Sequence, residues 1–166
     1  MRFAPAAAAL SLCLAMTASV TMAGADSTPD PRAAALIAQG QAALEAGETQ
    51  AAVDAFEAAL AVDPGYTPIF IDLAEAARRQ GLQGKAIRYY REALERDPGN
   101  FAAISGEGAA LVEKGALEKA KRNLAKLQSL CGAACPETVA LQTSIARAPS
   151  PRLAADGSAS AGPASN

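Results

Sequence analysis

The chain is 166 residues long, enough for one domain with additions at its ends. Hydrophobic residues make up 51% of it, much of that alanine, and aromatics only 4%, a composition that favours close-packed helices over a sheet sandwich. A net charge of −2 leaves no electrostatic footprint for nucleic acid, and the absence of histidine removes Ser-His-Asp and Cys-His nucleophilic systems, His-ligated zinc or haem, and the usual general base near neutral pH.

The first element in chain order is a leader. Met1-Arg2 is a short basic start, followed by an apolar stretch from about Ala4 to Met22 and by the small residues Ala23-Gly24-Ala25. This pattern predicts a secretory signal over 1–25, cleaved after Ala25, and therefore an exported protein whose expected location is the bacterial periplasm. An uncleaved membrane anchor is the alternative, because the run approaches the length a bilayer needs. Cys13 does not suggest lipidation, since Leu12 before it is too large for that processing site. No later segment is long and apolar enough to span a membrane, so none remains after cleavage. A short linker is expected over 26–32.

Self-similarity organises the next hundred residues. Ala59-Leu60 followed by Asp63-Pro64-Gly65 recurs 34 residues later as Ala93-Leu94 followed by Asp97-Pro98-Gly99. In the same register Gly47, Gly81 and Gly115 coincide, as do Ala52, Ala86 and Ala120; Phe56, Tyr90 and Leu124; and Leu36, Phe70 and Ile104. A period in this range marks stacked supersecondary units. Each unit reads as two helices: the first ends near the recurring glycine, where a left-handed cap is natural, and the second ends at Asp-Pro, which cannot continue the ladder. The same signals predict helices near 67–80, 83–96, 101–114 and 117–130. Pro136 then opens an end helix over 136–147 that covers the last unit, and 148–166, rich in Ala, Ser, Pro and Gly, reads as a disordered tail.

These residues resemble the tetratricopeptide repeat family. Its pattern of small, small, bulky, small and proline is met by Gly40, Ala52, Phe56, Ala59 and Pro64 in a unit over 33–66. Ala74, Ala86, Tyr90, Ala93 and Pro98 meet it over 67–100. The unit over 101–132 matches through Gly108, Ala120 and Leu124 but departs at Leu127 and Gly132. The resemblance implies an all-α fold, a right-handed α-solenoid of three antiparallel helix pairs with a capping helix. It also implies that the first helix of each unit lines a concave groove for a protein or peptide partner. Carried over residue by residue, that groove takes Ala34, Ile37, Gln41, Leu44 and Glu45 from the first unit. The second supplies Pro68, Ile71, Glu75, Arg78 and Arg79, and the third Ala102, Ser105, Ala109, Val112 and Glu113. The family's lysine, arginine and asparagine clamp for a terminal carboxylate is missing there apart from Arg78 and Arg79, so no such clamp is expected.

Cys131 and Cys135, four residues apart in a Gly-containing bend, could close a disulfide in an oxidising compartment and fix the docking angle of the end helix. Without histidine or further cysteines they do not complete a tetrahedral metal site. The expected function is a non-catalytic binding scaffold or adaptor in the cell envelope, with no cofactor, no metal and no catalytic residue. A dithiol redox or maturation factor using Cys131 and Cys135, and a self-associating structural solenoid, stand as alternatives; the oligomeric state is left open.

Overall fold

A computed structural model describes residues 28–148. The expected signal segment lies outside the described residues, as does the expected tail beyond Ala148. Seven α-helices follow in order: α1 Pro31–Glu45, α2 Thr49–Val62, α3 Pro68–Arg79, α4 Gln83–Arg96, α5 Phe101–Glu113, α6 Leu117–Cys131 and α7 Pro136–Ala146. The expected linker ends earlier than 32, because Pro31 and Arg32 already belong to α1. Proline fits the first turn, and the Asp30 carboxylate accepts from the Arg32 amide at 2.8 Å to cap it.

Local chemistry sets the joints. Gly47, Gly81 and Gly115 each follow a first helix with φ of +80°, +74° and +78°, a conformation that costs an L side chain about 1–2 kcal/mol per residue. After each glycine the chain turns back on itself, and the next amide (Glu48, Leu82 or Ala116) bonds to a carbonyl in the last turn of the helix just ended. The second helices α2 and α4 stop at Asp63 and Asp97, each followed by proline. Asn100 then starts α5 by accepting from the Ala103 amide at 2.9 Å.

The apolar interior is a chain of clusters, one at each stacking joint. Ile37, Leu44, Val53, Phe56, Ile69 and Leu73 fill the joint of α1, α2 and α3. Phe70, Ile87, Tyr90 and Leu111, with a bed of alanines, fill the next. Ile104, Leu127 and Leu141 close the last under α7. Leu127 occupies a position where the earlier units have Ala59 and Ala93, and it fills the space against the end helix. Close approach is enforced by missing side chains: a Cβ on Gly40 would stand 2.8 Å from Cζ of Phe56, and one on Gly108 would meet Leu141 Cδ2 at 2.6 Å. A polar bridge crosses the second joint. The buried Glu107 of α5 accepts from Arg91 of α4 at 2.7 Å and from Asn123 of α6 at 3.0 Å, so its desolvated charge is paired and bonded.

Candidate functional site

The first helices form a row: α3 packs against α1 and against α5, and α7 continues the row by packing on α5. Side chains at matching turns of these helices therefore face one another across the joints. At the centre is Arg78, near the end of α3. Its Nη1 donates to Glu75 Oε2 at 2.9 Å, and its Nε donates to Glu113 Oε2 on α5 at 3.3 Å. Burial opposes the Arg78 charge, yet the carboxylates of Glu113 and Glu75 outweigh that and hold its pKa above the ordinary value. Tyr90 reaches the same cluster from α4, its hydroxyl donating to Glu75 Oε2 at 3.5 Å; burial pushes its pKa up to about 12. Ser105 of α5 donates to the Glu137 carbonyl at 3.1 Å and ties the start of α7 to the row. Glu75, Arg78, Tyr90, Ser105, Pro136 and Glu137 border an open cleft of about 370 Å³. Gly106, also on its lining, makes room for the Tyr90 ring, which a Cβ there would strike.

The neighbouring joint holds a second carboxyl. Asp72 of α3 is half-buried, and desolvation raises its pKa to about 6 against the opposing pull of a hydrogen bond with Gln41 of α1.

The expected groove residues divide by environment. Glu75, Arg78 and Ser105 come together around the cleft, and Gln41 and Glu45 are exposed on α1. Ile71 and Val112 are half-buried against the second core cluster, and Ala109 is half-buried on α5. Ile37 and Leu44 need correction as groove-lining residues: both are buried in the first core cluster, because α1 is rotated so that this stripe meets α2 and α3. Arg79 spans the α1–α3 joint: its Nη1 donates to the Leu44 carbonyl at 2.8 Å, which also accepts from the Gly47 amide, and its Nε donates to Glu75 Oε1 at 3.3 Å. Asp72, Tyr90, Gly106 and Glu137 were not anticipated in the groove. Asp72 was the readable one, being one turn before Glu75 on the same helix. Glu137 reaches the cleft only because α7 docks on α5, which no local pattern encodes.

The groove is acidic in sum. Glu45, Asp72, Glu75, Glu113 and Glu137 lie along it against two cations, Arg78 shared between Glu75 and Glu113, and Arg79 shared between Glu75 and the Leu44 carbonyl.

At the turn between α6 and α7 the Sγ atoms of Cys131 and Cys135 stand at bonding separation, their Cα atoms 5.7 Å apart. Glu137 Oε2 is 3.0 Å from Cys135 Sγ, and the donor atoms of Cys131, Cys135 and Glu137 all lie within 4.8 Å of one another. Joined as a disulfide, the two sulfurs would offer no thiolate to a metal ion, and three donors fall short of a closed tetrahedral site. Among the described residues no helix is long and apolar enough to cross a membrane.

Stacked antiparallel helix pairs with an open groove along the first helices define an α-solenoid of the repeat type. The family model for the tetratricopeptide repeat matches residues 24–67, 37–101 and 71–121, more than half of the chain. The chain belongs to the tetratricopeptide repeat family. Solved structures of similar fold include the Sgt2 TPR domain from Aspergillus fumigatus, with TM-score 0.65 and 23% identity over 84% of this chain and 90% of that one. The Yersinia enterocolitica type III secretion chaperone SycD, in complex with a peptide of the translocator YopD, gives TM-score 0.60 and 23% identity over 68% of this chain and 86% of that one. The second TPR domain of human RPAP3, in complex with the HSP70 peptide SGPTIEEVD, gives TM-score 0.62 and 18% identity over 70% of this chain and 96% of that one. No curated protein matches the sequence.

Proposed function

We propose that the protein is a non-catalytic adaptor whose first-helix groove receives an extended protein segment bearing lysine or arginine. One observation carries this reading: an open groove runs along the first helices with carboxylates on every one of them, and its central cation is already neutralised. A cationic segment would exchange hydration for Glu45, Asp72, Glu75 and Glu137, and complementary charge would set its register and speed its approach. An acidic tail such as the HSP70 peptide bound by the human domain would meet like charge here. The half-buried Ile71 and Val112 offer apolar contact beside those charges. Histidine is absent from the chain, which supports a binding role over acid–base chemistry. The Glu137 carboxylate beside Cys135 would repel a thiolate there and disfavours a redox role for the pair.

The working place we infer is outside the cytoplasm. The basic start, apolar run and Ala23-Gly24-Ala25 support export, and paired cysteines suit an oxidising compartment. A reporter enzyme that is active only after export, fused behind Asn166, tests this. Loss of its activity on deletion of 1–25 is expected, and unchanged activity would end the export reading.

Titration calorimetry with matched ten-residue peptides, one alternating Lys and Val and the other Glu and Val, tests the groove. The lysine peptide should bind and weaken by about tenfold or more with Glu75→Lys, and weaken further as salt rises. Equal or tighter binding of the glutamate peptide, or indifference to Glu75→Lys, would sink the proposal.

A further inference from the structure

A second cleft, of about 260 Å³, opens where the α5–α6 turn lies over α4, and it shares no lining residue with the groove. Four cations surround it: Arg88 and Arg91 from α4, Lys114 at the end of α5 and Lys119 in the first turn of α6. No acidic residue lines it. Arg91 gives its Nε to the buried Glu107, while Arg88, Lys114 and Lys119 make no ion pair among the described residues. The floor is apolar, with Ile87 and Leu111 both buried.

The repeat supplies an internal comparison. One period earlier, at the joint between the first and second units, the same positions hold Asp54, Glu57, Gln80 and Lys85 in place of Arg88, Arg91, Lys114 and Lys119. That joint is closed by its own side chains: Gln80 donates to Gln50 at 3.4 Å, and Lys85 pairs with Glu57 at 3.9 Å. Gln50 and Leu82 stand there where the open cleft has Gly84 and Ala116. Lys114 Nζ lies 3.8 Å from where a Cβ on Gly84 would be, so a larger residue at 84 would press into the space. Stacking two units therefore requires neither the four cations nor the opening, and both are found together at one joint. Gathering like charge without partners raises the energy of the free protein, and an anion in the cleft would relieve it.

We propose that this cleft binds a phosphoryl group, carried either by a free phosphate compound or by the headgroup of an anionic phospholipid. Two guanidinium and two ammonium groups around a volume of this size suit a compact oxyanion with several acceptor oxygens, which arginine engages through paired N–H donors.

The test uses the purified full chain with two probes, inorganic pyrophosphate in calorimetry and vesicles of phosphatidylglycerol with phosphatidylcholine in co-sedimentation. Three variants separate the cleft from diffuse charge. Arg88→Gln with Lys114→Gln removes two cations and leaves the Arg91–Glu107 pair intact. Gly84→Gln with Ala116→Leu closes the cleft with the residues of the first joint and changes no charge. Lys121→Gln with Lys126→Gln removes two α6 cations that lie outside the cleft. Binding of at least one probe is expected, weakened about tenfold or more by each of the first two variants and by less than about threefold in the third. Pyrophosphate binding without vesicle binding assigns the free compound; vesicle binding that requires phosphatidylglycerol assigns the headgroup. The proposal is overturned if neither probe binds at about 1 mM, if the closed variant binds as the parent does, or if the third variant loses as much as the first.

Discussion

Asp72 shows how a single residue in the groove trades stability for chemistry. Burial raises its pKa from 3.8 to about 6, so the folded state holds this proton more tightly than the unfolded chain does. Between those values the native state binds more protons, and this residue's contribution to stability falls as pH rises from about 4 to 6. Asp72→Asn keeps the shape and removes the charge. Its melting temperature should exceed that of the parent at pH 7 and converge with it near pH 4, a difference on the order of 1–2 kcal/mol after allowance for the half-exposed setting. Melts that run parallel from pH 4 to 7 would contradict this. The same residue marks where sequence reading ran short. The recurring glycines and the Asp-Pro stops were legible because they answer a local backbone demand. The inward turn of Ile37 and Leu44, and the half-burial of Asp72, depend on how far α1 and α3 are rotated against their neighbours, which no window of sequence records.

At the scale of elements, α7 and the turn before it have to finish a stack that has no further unit. Leu141 is 1% exposed and packs against Ile104 and Leu127 at the place where Gly108 lacks a side chain. Leu141→Ala should cost about 2–4 kcal/mol, read as a lower midpoint in urea with the slope unchanged. A loss below about 1 kcal/mol would mean that α7 is a loosely held appendage. A disulfide between Cys131 and Cys135, whose sulfurs stand at bonding separation, would close a short loop directly before this helix, which the chain-entropy description values at about 2 kcal/mol. Cys131→Ser with Cys135→Ser should therefore lower stability by about that amount. Combined with Leu141→Ala the loss should be less than additive, because both substitutions loosen the same docked helix. Full additivity would show that the link acts elsewhere. The existence of α7 was legible from Pro136 and the apolar spacing behind it; its seat on α5 was not, since that rests on a glycine one helix pair away.

Across the second and third units, charge is sorted by side. The second helices α4 and α6 carry Lys85, Arg88, Arg91, Arg96, Lys119, Lys121, Arg122 and Lys126 against only Glu92, Glu95 and Glu118, whereas α2 of the first unit carries Asp54 and Glu57 and no cation, and the first-helix groove is lined by carboxylates. A net charge of −2 hides this division, so composition alone could not announce two faces suited to opposite partners. The repeat made the helix pairs and their stacking readable, whereas the charge pattern becomes meaningful only once the helices are assigned to sides. The Tyr90 ring resting on Gly106 carries a further consequence for how such a chain could grow. One period before Gly106 the chain has Asp72, so a second copy of 67–100 inserted behind the first would set a tyrosine against an aspartate. Such a duplicated chain should unfold in two steps, and Asp→Gly at that place in the inserted copy should restore a single cooperative melt. The units are alike in outline but keyed at their edges, and the key dictates which may follow which.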